Sequence, residues 1–246
     1  MALSADRTTR FRNPGREVWY EVKASTTIYQ GSLVCIDNTT GKAEPATNAS
    51  GKTFVGVAQE NAAAASSGTT YIKVWSEGEF LFLKTTSAVT DVGNVVSVSD
   101  DATVANALGT LTTALTGTNN DLVWTAKDPY YGLLSDAISI TYKDPLGASK
   151  AIAIDVFGSG IVVWLATNAS SVITSTGDTI KTALGNHVLA NSMVSAVDAA
   201  SNDGSGVVTA LASTRLAIGP IVGTAVGYDS TTQLWIDIAR KTPAGL

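Results

Sequence analysis

The chain has 246 residues, which is enough for one large domain or two small ones. Only 15% of the residues are charged and the formal net charge is -5, which argues against general nucleic-acid binding because phosphate neutralisation needs clustered Lys and Arg. Cys35 is the single cysteine, which excludes an intrachain disulfide, and no apolar run of about 18 residues predicts a membrane-spanning helix. The first residues lack an apolar leader, so we expect synthesis in a reducing cytoplasm.

Residues 1–17 are predicted to form an extended N-terminal arm that ends near the turn signal Asn13-Pro14-Gly15. Four of the 16 basic residues of the chain fall within it. Three interpretations are open: a solvated terminus, an arm that docks on an acidic partner surface, and a DNA contact. The second predicts contact through Arg7, Arg10, Phe11, Arg12 and Arg16. On that hypothesis, removal of residues 1–12 weakens binding and leaves the rest of the chain folded.

Short strands separated by turn signals follow the arm at spacings of roughly ten residues, which is typical of a β-sandwich or small β-barrel. The predicted strands are 18–22, 33–37, 53–58, 71–75, 79–83 and 95–98. Residues 61–68 are predicted to form a loop or a single turn. Cys35 lies within an apolar run and is predicted to be a buried small hydrophobe.

Two matching signatures lie more than a hundred positions apart. Phe54–Ala58 is followed by the strand Tyr71–Trp75, and Ile221–Gly227 is followed by the strand Gln233–Ile238. Both have a strand, a short turn rich in small residues, and an alternating strand with Trp. We therefore predict one mainly β base domain, a small barrel or sandwich formed by residues 18–118 plus 217–246, with both signatures in the barrel.

The intervening residues 119–216 differ in composition and are predicted to be an inserted α+β domain. Its first part reads as a four-stranded meander, over 122–126, 137–142, 150–156 and 161–166. A helix over 177–191, capped by Ser175 or Thr176, places Ile180, Ala183, Leu184 and Val188 on one face. Strands over 193–197 and 207–211 complete the inserted domain.

Catalytic chemistry has few residues available. His187 is the only histidine and is predicted to be a surface residue near a helix C-terminus. The pairs Asp100/Asp101 and Glu77/Glu79 adjoin turn signals, and the loop 202–206 lacks the calcium-binding pattern of an EF-hand. We therefore predict no catalytic, cofactor or metal site and no enzymatic activity. Tyr130 and Tyr131 follow Pro129 in a loop and are predicted to be an exposed contact pair.

Several of these motifs resemble a family of tailed-phage capsid decoration, or cement, proteins. The resemblance is carried by Arg12–Gly15, Gly31–Val34, Phe54–Ala64 and Val74–Phe80, with Ile221–Ile238 in the position of the closing strands. The segments 120–127, 138–145 and 202–210 resemble a β/α module that recurs in phage structural proteins. The decoration-protein family typically has the pattern "G-V-A-x-E-x-A-A-A-G". The second G-V-A-like turn of this chain, Gly223–Gly227, departs from the family's pattern.

The resemblance implies a virion structural protein on the outer surface of the assembled head, where it binds the major capsid protein, often as a homotrimer, and stabilises the capsid. The base would face the capsid and residues 119–216 would project from it. Neither nucleic acid nor membrane is implied as a direct partner. The alternatives are another virion component, such as a tail-tube or fibre protein, and a glycan-binding role of the inserted domain in host attachment.

Overall fold

The structure, a computed structural model, describes residues 3–12, 15–130 and 132–238. Over these residues it contains 20 strands and three short α-helices, which confirms the predicted mainly β fold. The longest described helix has 10 residues, and none has the length and apolarity needed to cross a bilayer.

The chain forms two units. Unit 1 comprises the residues up to Ala107 and those from Gly219 onwards, and unit 2 comprises Leu108–Ile218. The base predicted from the sequence includes residues 108–118 and 217–218, which lie in unit 2. They belong to unit 2 because a strand at Thr110–Thr112 pairs with Leu122–Ala126, and because Thr110 and Ala217 exchange backbone hydrogen bonds of 2.9 and 2.8 Å.

The strands of unit 1 before the insertion are β1 (Phe11–Arg12), β2 (Glu17–Glu21), β3 (Thr27–Ile28), β4 (Leu33–Asp37), β5 (Ala43–Pro45), β6 (Lys52–Ala58), β7 (Ala62–Ala63), β8 (Tyr71–Trp75), β9 (Gly78–Lys84), β10 (Val95–Val98) and β11 (Thr103–Asn106). Unit 2 contains β12 (Thr110–Thr112), β13 (Leu122–Ala126), α1 (Leu133–Asp136), β14 (Ser139–Lys143), β15 (Ala153–Phe157), β16 (Gly160–Trp164), α2 (Gly177–Asn186), α3 (Val188–Met193), β17 (Val194–Asp198) and β18 (Leu211–Arg215). The chain returns to unit 1 with β19 (Ile221–Ser230) and β20 (Gln233–Ile238).

Five strands of unit 1 close into a small barrel in the order β9, β11, β10, β19 and β20, with β20 pairing back onto β9. The β9–β11 pair is parallel and the others are antiparallel. Alternation along the strands directs Phe80, Phe82, Leu234 and Ile236 into the barrel core. The residues after the insertion therefore supply two of the five barrel strands.

A second sheet, in the order β2, β8, β6, β4 and β5, separates two apolar cores of unit 1. Leu33 and Cys35 face the core shared with the barrel, whereas Val34 between them faces a smaller core with Ile72 and Val74. Cys35 is fully buried, and its surroundings fit the predicted role as a small hydrophobe. Strands β3 and β7 pair beside the smaller core, so residues 61–68 are more regular than predicted.

The first of the two signatures is not part of the barrel. Strands β6 and β8 lie in the five-stranded sheet, whereas β19 and β20 lie in the barrel. The prediction that both lie in the barrel is therefore wrong. The two signatures share a local geometry, because in each a glycine of the first strand is in close contact with a backbone carbonyl oxygen of the second strand. Gly56 approaches the carbonyl of Trp75, and Gly223 approaches that of Asp237.

Unit 2 contains two sheets, and the predicted four-stranded meander is wrong. Strand β13 pairs with β12 and β17, while the other sheet has the order β15, β16, β14 and β18. Strands β14 and β16 are parallel, because the β15–β16 hairpin folds back with its second strand against β14. The indole Nε1–H of Trp124 on β13 donates a 2.8 Å hydrogen bond to the buried hydroxyl of Tyr142 on β14, which links the two sheets.

The predicted single helix is divided into α2 and α3 at His187. The hydroxyl of Thr176 accepts the backbone N–H of Thr179 and caps α2, while the Nδ1 atom of His187 accepts the backbone N–H of Ala190 and caps α3. Ile180 and Leu184 pack in the unit 2 core as predicted, but Val188 is 87% exposed because the helix has ended before it.

A charge network formed by Lys23 after β2, Asp37 on β4, Glu44 on β5 and Lys52 on β6 predicts a pH dependence for unit 1. The Asp37 carboxylate accepts the Thr39 N–H at 2.9 Å and lies 3.0 and 3.2 Å from the ammonium groups of Lys23 and Lys52. These contacts hold the pKa of Asp37 well below its usual value, with the backbone hydrogen bond as the largest cause.

Because its folded pKa is depressed, Asp37 stabilises the fold above its unfolded pKa of about 4, and the contribution is lost as the pH falls further. We expect Asp37→Asn to unfold at lower urea concentration than the parent protein at pH 7, with a smaller difference at pH 3. An equal difference at both pH values would show that the carboxylate charge contributes nothing.

Candidate interaction surface

The N-terminal segment, residues 3–12, lies along unit 1 and is not a free arm. The Arg7 N–H donates to the carbonyl of Gln30 at 2.8 Å, and the Gln30 N–H donates to the Asp6 carboxylate at 3.0 Å. The Leu3 N–H donates to the carboxylate of Asp101 at 2.8 Å. The segment forms a strand only at Phe11–Arg12, and its hydrogen bonds attach it to the rest of unit 1.

Arg7 is the anchor of this segment. Its guanidinium donates to the carbonyls of Ala102 at 2.9 Å and Gly31 at 3.3 Å. Burial lowers its pKa, while the carboxylates of Asp101 and Asp100 act in the opposite direction. Gly31 is required at this contact, because its φ is +81° and an added Cβ would lie 2.1 Å from the Arg7 carbonyl oxygen. The predicted contact residue Arg7 is thus engaged within the chain.

Strand β1 of the segment is also paired within unit 1. Phe11 and Arg12 pair with Phe80 and Glu79 of β9. The Phe11 ring lies 6.0 Å from Trp75 and 6.2 Å from Phe80, centroid to centroid, and its side chain remains exposed. Strand β1 is the end strand of this sheet, and it pairs with β9 along one of its two edges.

Arg12 covers the outer side of the barrel. Its guanidinium lies 3.9 Å from the ring centroid of Trp235, which faces away from the barrel core. Trp235 and its cross-strand neighbour Leu81 are both buried, and the Leu81 N–H donates to the carbonyl of Arg10. Removal of residues 1–12 would therefore destabilise unit 1 as well as remove charge, which corrects the sequence-based expectation.

Arg12→Ala is expected to lower the free energy of unfolding of unit 1 by about 1 kcal/mol, the upper range for a cation–π contact at an exposed site. Arg10→Ala is the matched control, because Arg10 is also exposed and stacks on no aromatic ring among the described residues. Urea unfolding of both variants checks the prediction, and equal losses would assign the effect to charge alone.

Three of the predicted contact residues remain available to a partner. Arg10, Arg12 and Arg16 are exposed, and no ion pair within residues 3–12, 15–130 and 132–238 involves them. Residues 1–16 contain four arginines and one aspartate, a formal charge of +3 in a chain of net charge -5. The N-terminal segment itself is therefore basic, while Glu79 of β9 lies opposite Arg12 in the strand register.

An exposed aromatic face lies on strands β2 and β8. In the antiparallel register, Glu17 lies opposite Trp75, Trp19 opposite Lys73, and Glu21 opposite Tyr71, so all six side chains share one side of the sheet. Trp19 is 57% exposed and Tyr71 is 56% exposed. Trp75 is half-buried and connects this aromatic face to Phe11.

Ion pairs hold the charged residues of the aromatic face. Lys73 pairs with Glu17, and its ammonium lies 5.9 Å from the ring centroid of Trp19. At the other end, Lys42 pairs with Glu21 at 2.6 Å. The Lys73 hydrogen bond lowers the pKa of Glu17. The lysines of the face are therefore paired with its glutamates, and its exposed apolar area is supplied by Trp19 and Tyr71.

Sequence reasoning missed Trp19, Tyr71 and Lys73. A signal for Trp19 was present, because Glu17 and Glu21 flank it at two-residue spacing and a strand places all three on one side. A Trp that shares a strand face with two glutamates is expected to be exposed rather than buried in a core.

Unit 2 offers weaker candidates. Tyr130 is half-buried against the unit 2 core, and Tyr131 lies outside the described residues. An open groove of about 520 Å³ lies between β15 and α2, lined by apolar Ile152 and Ile154 and by polar Thr182, Asn186 and His187. In the described part of the chain, no three His, Cys, Asp or Glu side chains are grouped as metal ligands would be.

Comparison with known proteins found no matching family model, no similar curated protein and no similar solved structure.

Proposed function

We propose that the protein is a capsid decoration protein, which binds the outer surface of an assembled phage head through unit 1 and stabilises it. The segments that carry the resemblance to decoration proteins fall in unit 1, in its barrel and in the adjoining sheet. Unit 2 interrupts this base between Ala107 and Gly219. A chain with this organisation can attach by one unit and display the other.

The observation that carries the proposal is the exposure of Arg10, Arg12 and Arg16. An acidic chain that keeps three arginines exposed, without an ion pair among its described residues, has a surface complementary to an acidic partner. Long-range attraction of this kind raises association rates and orients the encounter.

Stabilisation would follow from mass action. A protein that binds the mature lattice and not its precursor lowers the free energy of the mature state by RT ln(1 + [L]/Kd), about 2.7 kcal/mol per site at 100 times Kd. No catalytic residue is needed for this work, and many copies would act in parallel.

Co-sedimentation with capsids of the encoding virus, stripped of accessory proteins, tests the proposal. We expect saturable binding to mature capsids and weak binding to procapsids. Absence of binding to mature capsids would contradict the proposal, and rings or tubes formed by the purified protein in negative-stain images would favour the tail-tube alternative.

A further inference from the structure

We infer that unit 1 forms an internal isopeptide bond between the side chains of Lys84 and Asn106, with Asp91 as the group that transfers the protons. Such a bond would join β9 to β11 covalently at one end of the barrel. The inference does not depend on the proposed function, because it concerns three polar side chains that the fold brings together and that capsid binding leaves unused.

Lys84 and Asn106 occupy core-facing positions of the barrel. On β9, Phe80 and Phe82 point into the core, and Lys84 is the next residue on the same side. On β11, Val104 points into the core, and Asn106 follows it on that side. In the parallel register Lys84 lies opposite Val104. The lysine and the asparagine therefore project from adjacent strands at the same end of the barrel.

One carboxylate contacts both side chains. Asp91 is the last residue of a short 3₁₀ helix, Val89–Asp91, and its Oδ2 atom lies 3.1 Å from the ammonium nitrogen of Lys84. Its Oδ1 atom accepts a 3.2 Å hydrogen bond from the Nδ2–H of Asn106. The Lys84 ammonium also donates to the carbonyl of Thr86. The side chains of Lys84 and Asp91 are only 12% and 10% exposed, so the pair is largely withdrawn from water.

The amide oxygen of Asn106 is not explained by an ion pair alone. It is buried and accepts no hydrogen bond from the described residues, which is unfavourable for a polar atom. When a proton moves from Lys84 to Asp91, the carboxylic acid that results can donate to this oxygen. That hydrogen bond would polarise the Asn106 carbonyl towards attack by the neutral lysine amine.

Asp91 is in the protonation state that the first step needs. Burial raises the pKa of Asp91, but the hydrogen bond from the Ala88 N–H and the contacts with Lys84 and Asn106 outweigh burial and hold the pKa below its usual value. At neutral pH the group is therefore a carboxylate, which can accept a proton from the adjacent ammonium.

The reaction balances without an added reagent. The lone pair of the Lys84 Nζ forms a bond to the Cγ of Asn106, and the bond from Cγ to Nδ2 breaks. The Nζ atom gives up two protons in all through Asp91, and both leave with Nδ2 as an ammonium ion. Asp91 ends as a carboxylate again, and the product is an amide bond between the two side chains.

Intact-mass spectrometry of the purified full chain tests the inference. We expect the folded protein to be lighter than its sequence by the mass of one molecule of ammonia. Digestion on the N-terminal side of aspartates separates Lys84 from Asn106, because Asp91, Asp100 and Asp101 lie between them. The peptides that contain the two residues should nevertheless be recovered as one linked product.

Three variants assign the roles. Lys84→Arg keeps the positive charge but has no primary amine, Asn106→Ala has no side-chain carbonyl, and Asp91→Asn keeps both reacting groups without the carboxylate. Each is expected to have its full sequence mass. Lys42→Arg is the matched control, because it changes another ion-paired lysine of unit 1 and should still lose ammonia. Thermal unfolding establishes that the variants are folded, and Lys84→Arg and Asn106→Ala test the bond separately.

A folded parent protein with its full sequence mass would overturn the inference. So would a loss of ammonia that persists in Lys84→Arg, because an asparagine can also lose ammonia by closing a ring with its own backbone. A linked product that forms in Asp91→Asn as completely as in the parent would overturn the role of Asp91.

Discussion

Trp124→Ala is expected to lower the free energy of unfolding of unit 2 by roughly 4–8 kcal/mol and to leave unit 1 folded. Trp124 is fully buried in the unit 2 core, and truncation of a buried Trp costs about 3–5 kcal/mol. The variant also leaves the Tyr142 hydroxyl without its indole donor, at a further cost of about 1–3 kcal/mol. Since domains have stabilities of about 5–15 kcal/mol, unit 2 would be unfolded or close to it.

Scanning calorimetry measures the effect, because the two units have separate apolar cores and are expected to give separate transitions. Only the unit 2 transition should move or vanish. Trp19→Ala is the matched control, a Trp of unit 1 that is largely exposed, and should move neither transition by more than a few degrees. A parallel shift of both transitions in Trp124→Ala would show that the units unfold as one.

Gly56→Ala is expected to destabilise unit 1 by roughly 2–6 kcal/mol. Gly56 has a φ of +150°, and an added Cβ would lie 2.1 Å from the carbonyl oxygen of Trp75, which is backbone and cannot turn aside. Backbone strain and overpacking each cost about 1–3 kcal/mol. Urea unfolding followed by Trp fluorescence measures the loss.

Gly51→Ala separates the two causes. Gly51 also has a positive φ, +74°, but an added Cβ there meets no atom within 4 Å. Its replacement should cost only the backbone strain, about 1–2 kcal/mol. If the two alanine variants were equally stable, the close approach of Gly56 to the next strand would carry no weight.

Gly56 and Gly223 show how much of the fold can be predicted from the sequence. The repeated signature indicated that the last strands belong with the first hundred residues, and β19 and β20 do lie in unit 1. It could not assign a sheet to each copy, because Gly56 and Gly223 mark only the approach of one strand to the next. Membership of the barrel depends on β20 pairing with β9, across about 150 residues, and local pattern does not encode that partner.

The same limit explains the errors in unit 2. Alternating residues in β14, β15 and β16 predicted strands correctly, but a meander and a parallel arrangement have the same alternation. His187 carried no signal of a helix break, because its capping role depends on the Ala190 N–H that α3 presents to it.

The sequence indicated which residue types form the candidate site, but not which of their side chains are exposed. Clustered arginines indicated a basic arm, and Arg10, Arg12 and Arg16 are exposed. Arg7 is an anchor instead, because its acceptors are the carbonyls of Gly31 and Ala102, which lie 24 and 95 residues away. Contacts between residues so far apart in the sequence depend on the fold and cannot be predicted from the sequence of the arm alone.

The most direct test of the account is capsid binding by unit 1 alone. Residues 108–218 can be replaced by a linker of about six Gly/Ser residues, because the chain leaves and re-enters unit 1 beside the same four-residue strand, β10. The Ala107 N–H donates to the carbonyl of Val95 at one end of β10, and the Val98 N–H at the other end donates to the carbonyl of Pro220. We predict that this variant folds, saturates mature capsids to the same occupancy as the full chain, and competes with it for the same sites. A folded variant that fails to bind would contradict the assignment of capsid attachment to unit 1.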